Sequence, residues 1–111
     1  MRSYRIEELL PDNVQRVKEA LRAGGFEGAI DDIYYLPVPD ELLTEEQRAH
    51  LDGCGPYIMA IESGKDWLKL ELLVRARGRL RCSCICYASP TLRNHAIDFL
   101  DGFIRELDIP V

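Results

Sequence analysis

Leu68, Leu70, Leu72 and Val74 occupy every second position of one stretch, with Lys69, Glu71 and Leu73 between them. Such alternation sends successive side chains to opposite faces of a strand, so one face is apolar and must be buried. The same period runs through Tyr57, Met59 and Ile61 before it and through Leu80, Cys82, Cys84 and Cys86 after it. Three strands are therefore predicted, over 57–62, 67–75 and 79–87. A helix over 90–107 follows, with Ser89 as its N-cap and Pro90 at its first position. Its stripe of Leu92, Ala96, Phe99, Leu100, Phe103 and Leu107 is available to cover the apolar sheet face.

Turn chemistry sets the expected register. If Ala76-Arg77-Gly78 is a three-residue turn with Gly78 left-handed, Val74 faces Leu80, Leu72 faces Cys82, Leu70 faces Cys84 and Leu68 faces Cys86. A two-residue turn would place Lys69 and Glu71 beside the cysteines and is disfavoured, because a one-residue slip flips a whole strand. Gly64-Lys65 as a primed turn would pair Ile61 with Leu68, Met59 with Leu70 and Tyr57 with Leu72.

Upstream, Pro11 to Ala23 is predicted as a helix with Val14, Val17, Ala20 and Leu21 as its stripe and Gly24 as its stop. Residues 26–36 suggest a strand in which a bulge at Asp31-Asp32 would keep Asp32 out of the core. Thr44 and Gln47 form a capping box for a short helix over 45–51, stopped at Gly53. Ser3 to Leu9 fits either a short strand or a lead-in to the first helix. The expected fold is α+β: a four-stranded, mainly antiparallel sheet with two long helices on one face, in the order α-β-short α-β-β-β-α.

A chain of 111 residues is the size of one domain, and residues 1–111 are read as a single one. Its hydrophobic content of 47% excludes a disordered polymer. The first residues carry acids early and have no apolar signal core, which points to the cytoplasm. Three crowded cysteines would also mispair in an oxidising compartment. The net charge of −5 argues against general nucleic-acid affinity. Arg75, Arg77, Arg79 and Arg81 nevertheless lie within one short stretch, a basic tip on an acidic body.

Several residues could carry chemistry. Cys82, Cys84 and Cys86, with Cys54, His50 and His95 as further donors, offer thiolates for a metal. Thiols two apart on a flat strand lie along a line, whereas zinc needs four donors around a point, so packing without metal or cofactor is expected. His95 has Asp98 one helical turn away, and Asp31-Asp32 could cooperate only across a bulge; both are read as structural. The arginines are candidate anion contacts, with nucleic acid an unfavoured ligand beside stacking surfaces on Trp67 and Tyr87. On the sheet face that no predicted helix covers, Ile58, Trp67, Leu73, Ile85 and Tyr87 are candidate interface residues. The leading expectation is a small non-catalytic interaction module that homodimerises or binds another protein through that face, with no membrane association. The alternatives are a small-ligand or enzymatic pocket near residues 31–56, and anion or nucleic-acid binding by 75–81.

Overall fold

In the computed structural model, which describes residues 1–111, the apolar alternation builds the centre of an antiparallel sheet. The chain order is β1 (Ser3–Ile6), α1 (Pro11–Ala23), β2 (Ile33–Pro37), a 3-10 turn (Asp40–Leu42), α2 (Glu45–Ala49), α3 (Leu51–Cys54), β3 (Tyr57–Ser63), β4 (Leu68–Glu71), β5 (Leu73–Ala76), β6 (Cys86–Tyr87) and α4 (Pro90–Glu106). The fold is α+β as expected, but the sheet has six strands rather than four.

Two events account for the extra strands. The predicted strand over 67–75 is interrupted at Leu72, so that β4 and β5 both pair with β3 on the same side, at opposite ends of it. Ser3–Ile6 also adds a strand, antiparallel to β4, with Tyr4 opposite Leu70. Leu72 marks the point where the outer edge changes hands. Its N–H donates to the Arg2 carbonyl, and its own carbonyl accepts from the Ala88 N–H. β1 thus flanks β4 and β6 flanks β5. β2 pairs with the other side of β3.

The turn between β3 and β4 is longer than expected, and the register moves by two: Ile61 pairs with Leu70 and Ser63 with Leu68. A shift of two preserves the faces. Tyr57, Met59, Ile61, Leu68, Leu70, Leu72 and Val74 therefore still lie in one buried cluster. Val14, Val17 and Leu21 of α1 and Leu92, Ala96, Leu100 and Ile104 of α4 join it. Burying each of the Val, Leu and Ile side chains among them stabilises by about 1.5–3 kcal/mol before conformational entropy is counted. The Tyr4 hydroxyl donates to Asp101 at 2.8 Å, tying β1 to α4.

The predicted strand over 26–36 is instead a small hairpin. The Gly28 N–H donates to Ile33 O and the Tyr35 N–H to Phe26 O, while 29–32 turn the chain round. Reversing the chain, rather than bulging it, keeps the acids out of the core. Asp32, at φ 67°, is exposed and pairs with Lys18 of α1 at 2.6 Å. Phe26 is freed to pack edge-on against Phe99 and Phe103 of α4.

The largest departure concerns the strand expected over 79–87, of which only Cys86–Tyr87 is formed. Val74 faces Cys86 rather than Leu80, and residues 77–85 are a loop. Its start is held by two backbone bonds, from Arg77 N–H to Pro56 O and from Gly78 N–H to Cys54 O. Gly78 is required here for close approach, not for a left-handed turn. A Cβ at that position would sit 2.6 Å from the Gly53 carbonyl oxygen. No helix is long and apolar enough to cross a membrane.

Candidate metal centre

The loop that replaces the expected strand carries two cysteines to a pair of donors on the short helices. His50 closes α2 and opens α3, and Cys54 ends α3. The Cys54 N–H donates to the His50 carbonyl at 2.8 Å, so the two residues stand one helical turn apart on a common face. Opposite them, the Ile85 N–H bonds back to the Cys82 carbonyl at 3.1 Å and turns the Cys82-Ser83-Cys84 segment. On an extended strand, thiols two residues apart would lie about 7 Å apart on one face. Here the donor atoms of His50, Cys54, Cys82 and Cys84 all lie within 4.8 Å of one another.

That separation can be compared with the demands of a metal. Even with every separation at that 4.8 Å limit, the corners of a tetrahedron stand about 2.9 Å from its centre. A zinc–sulfur bond is about 2.3 Å, so the widest separations would contract by side-chain shifts of about 0.6 Å or less. The His50–Cys82 pair, at 3.1 Å, would open slightly. Three thiols and one imidazole are the donor types of a structural zinc site, and four protein ligands leave no position open.

Burial and charge set the state of each sulfur. Cys54 and Cys84 are buried, whereas Cys82 and His50 are half-buried. Desolvation by burial, with neighbouring sulfurs adding to it, pushes the Cys54 thiol up to about 11. Cys82 goes the other way, to about 6, because the Cys84 backbone N–H, the Cys84 thiol and His50 all stabilise its thiolate. His50 Nδ1 lies 3.1 Å from the Cys82 sulfur. Forming further thiolates at this depth would take a cation to offset their desolvation.

The surrounding groups fix the two halves to one another. Gln47 is 1% exposed. Its side-chain oxygen accepts from the Thr44 N–H in the capping box, and its Nε2 donates to the Cys84 carbonyl at 3.1 Å. The Tyr57 hydroxyl donates to the Gln47 carbonyl at 2.8 Å, and burial raises its pKa so that it remains a donor. Ser83 Oγ also donates to Glu46. Partners of this kind orient ligands and tune affinity.

The remaining sequence candidates are dispersed. Cys86 lies outside the cluster, in β6, with Gln47 Nε2 3.6 Å from its sulfur. His95 and Asp98 are both exposed on α4 with no bond between them. Asp31 and Asp32 are away from His50 and Cys54, so residues 31–56 do not converge on one pocket. Among the interface candidates, Ile58 is buried at 5% exposure, whereas Tyr87 is 45% exposed. Leu73, Ile85 and Trp67 are half-buried. Arg5 stacks over Trp67 at 4.8 Å and Arg2 over Tyr87 at 5.3 Å, so part of this face is already covered. Of the arginines, Arg75 makes a two-pronged pair with Glu71, at 2.6 and 3.1 Å. Arg77 lies over the Tyr35 ring at 4.9 Å. Arg79 and Arg81 make no ion pair.

The sequence contains the four donors as two close pairs, His50-x3-Cys54 and Cys82-x-Cys84. The signal that separates them from a packed ladder is the break in the strand after Ala76, which frees Cys82 and Cys84 from lying along a line. No family model matches the chain, and neither a curated protein nor a solved structure matches it.

Proposed function

We propose that this chain is a small metal-stabilised domain in which His50, Cys54, Cys82 and Cys84 hold one zinc ion. The convergence of these four donors within 4.8 Å, from two segments far apart in sequence, carries the proposal. In a closed shell of this kind the ion does no chemistry on a substrate. It would cross-link α3 to the 77–85 loop and so fix the rim of the open sheet face. The domain would then serve as a non-catalytic interaction module. Titration with cobalt(II) tests the metal: one equivalent per chain should give the intense visible bands of a tetrahedral cobalt–thiolate centre, discharged by zinc. A pale octahedral spectrum, or loss of the bands in Cys86→Ser but not in Cys84→Ser, would refute it.

Pairing of two copies through the open face is a second proposal. It is favoured by Leu73 and Tyr87, registered opposite each other across β5 and β6 with no helix over them. Light scattering should then give twice the chain mass, and Leu73→Arg should return it to a monomer. A single-chain mass for the unaltered protein would end this proposal.

A further inference from the structure

Next to the metal loop, on the sheet face opposite the core, lies a cleft of about 280 Å³. Tyr35, Ile58, Ala76, Leu80 and Ile85 give it an apolar lining, and Arg75, Arg77 and Arg79 are its only charged residues. No acid lines it. The neighbouring hollow on the same sheet face differs in this respect. It holds Glu62, Lys69 and Glu71 as well as Arg75, and its charges are satisfied internally: Lys69 meets Glu62 at 3.2 Å and Glu71 holds Arg75. In the arginine cleft only Arg75 is satisfied in that way. Arg77 is positioned by the Tyr35 ring, which leaves its guanidinium donors unpaired, and Arg79 has no partner. Leu80, at 96% exposure, stands at the rim with nothing packed on it.

We propose that this cleft binds a small organic anion, a phosphate or carboxylate carried on a single flat apolar ring. Arg77 and Arg79 would hold the anionic group through their paired N–H donors, a geometry that guanidinium supplies and ammonium does not. Ile58, Ile85 and the Tyr35 side would take the ring, with Leu80 closing over it. The volume lies just below the range of about 300–1,000 Å³ that accommodates drug-sized ligands, which restricts the occupant to about one ring plus its anionic group. The positive end of the cleft stands on a chain of net charge −5, so the local field, not the global one, would select the ligand. The lining residues suffice for this site, and the metal bears on it only by fixing the loop that contributes Arg79 and Leu80.

The experiment is an amide-shift NMR titration of the metal-loaded full chain with phenyl phosphate, benzoate, inorganic phosphate and benzyl alcohol. Saturable shifts of residues 75–80 are expected with phenyl phosphate or benzoate, and which of the two binds more tightly identifies the anionic group. The Arg77→Ala/Arg79→Ala variant, with its fold verified by its own spectrum, should bind at least ten-fold more weakly. Benzyl alcohol and inorganic phosphate should each bind at least ten-fold more weakly than the better aromatic anion. Absence of saturation with both aromatic anions, equal binding by the double variant, or equal binding of inorganic phosphate would overturn the proposal. Metal content measured on the same sample separates the two readings: saturable binding by a chain that has taken up none of the added zinc would retain the cleft and refute the zinc site.

Discussion

Zinc should raise the thermal stability of this domain, because its four ligands come together only in the folded chain. Cys54 and Cys82 are about 28 residues apart, so the unfolded chain does not hold them around one ion. An ion bound to the folded state alone, with free zinc buffered at about 100 times its dissociation constant, stabilises by about 2.7 kcal/mol. A domain of this length has an unfolding entropy that converts 1 kcal/mol into about 4 °C, so the midpoint should rise by about 11 °C. The assay is calorimetry of the chelator-stripped protein with and without zinc buffered at that level, repeated on Cys84→Ser and Cys86→Ser. Cys84→Ser should lose most of the shift, because it removes a ligand. Cys86→Ser should keep it, because that sulfur lies outside the cluster. A wild-type shift below about 3 °C, or equal losses in the two variants, would refute the cross-link.

Three further outcomes follow from named contacts. Gln47→Leu removes the donor to the Cys84 carbonyl and should weaken zinc binding by about 10–100-fold in competition with a chelating dye, with all four ligands intact. Gly78→Ala places a Cβ 2.6 Å from a backbone oxygen and should destabilise by about 1–3 kcal/mol in urea unfolding; an unchanged midpoint would show that the loop yields freely. Burial and the hydrogen bond to Asp101 raise the Tyr4 phenol to about 12, above its unfolded value near 10. A raised pKa favours the protonated folded form, so this contribution is complete below about pH 10 and is lost as the pH rises towards 12. Stability measured across that window should fall more steeply in the wild type than in Tyr4→Phe; parallel curves would remove the assignment.

The sheet core was legible in the sequence because period two is a direct image of a half-buried strand. Tyr57 through Val74 lie on the expected face even though the turn before Leu68 is longer than expected, since a shift of two leaves the faces unchanged. The helices were legible from their caps: Thr44 with Gln47, and Ser89 with Leu92, make the bonds their spacing implies. The candidate metal site was hidden by the same periodicity that revealed the core. Leu80, Cys82, Cys84 and Cys86 alternate like a strand, but Arg77 and Gly78 bond to Pro56 and Cys54, and the chain leaves the β5 edge before it can pair. Local pattern recorded what could be buried, and long-range backbone bonds decided where. The acids at 31–32 show the same limit: a bulge and a hairpin both expose Asp32, and the hairpin is set by backbone bonds between Phe26, Gly28, Ile33 and Tyr35 together with the packing of Phe26 on α4.

The handover at Leu72 has a consequence for synthesis on the ribosome. Ser3–Ile6 is made first, yet its only strand partner is Leu68–Glu71, about 65 residues later. At about 5–20 residues per second, that segment waits roughly 3–13 s before its edge can be paired. Ile6 and the Tyr4 ring are unprotected for that interval, with α1 still lacking both the sheet and α4 to pack against. The core of this domain thus closes late and almost at once, when residues 57–107 have emerged. Slow translation across that last half would lengthen the exposure of the first strand.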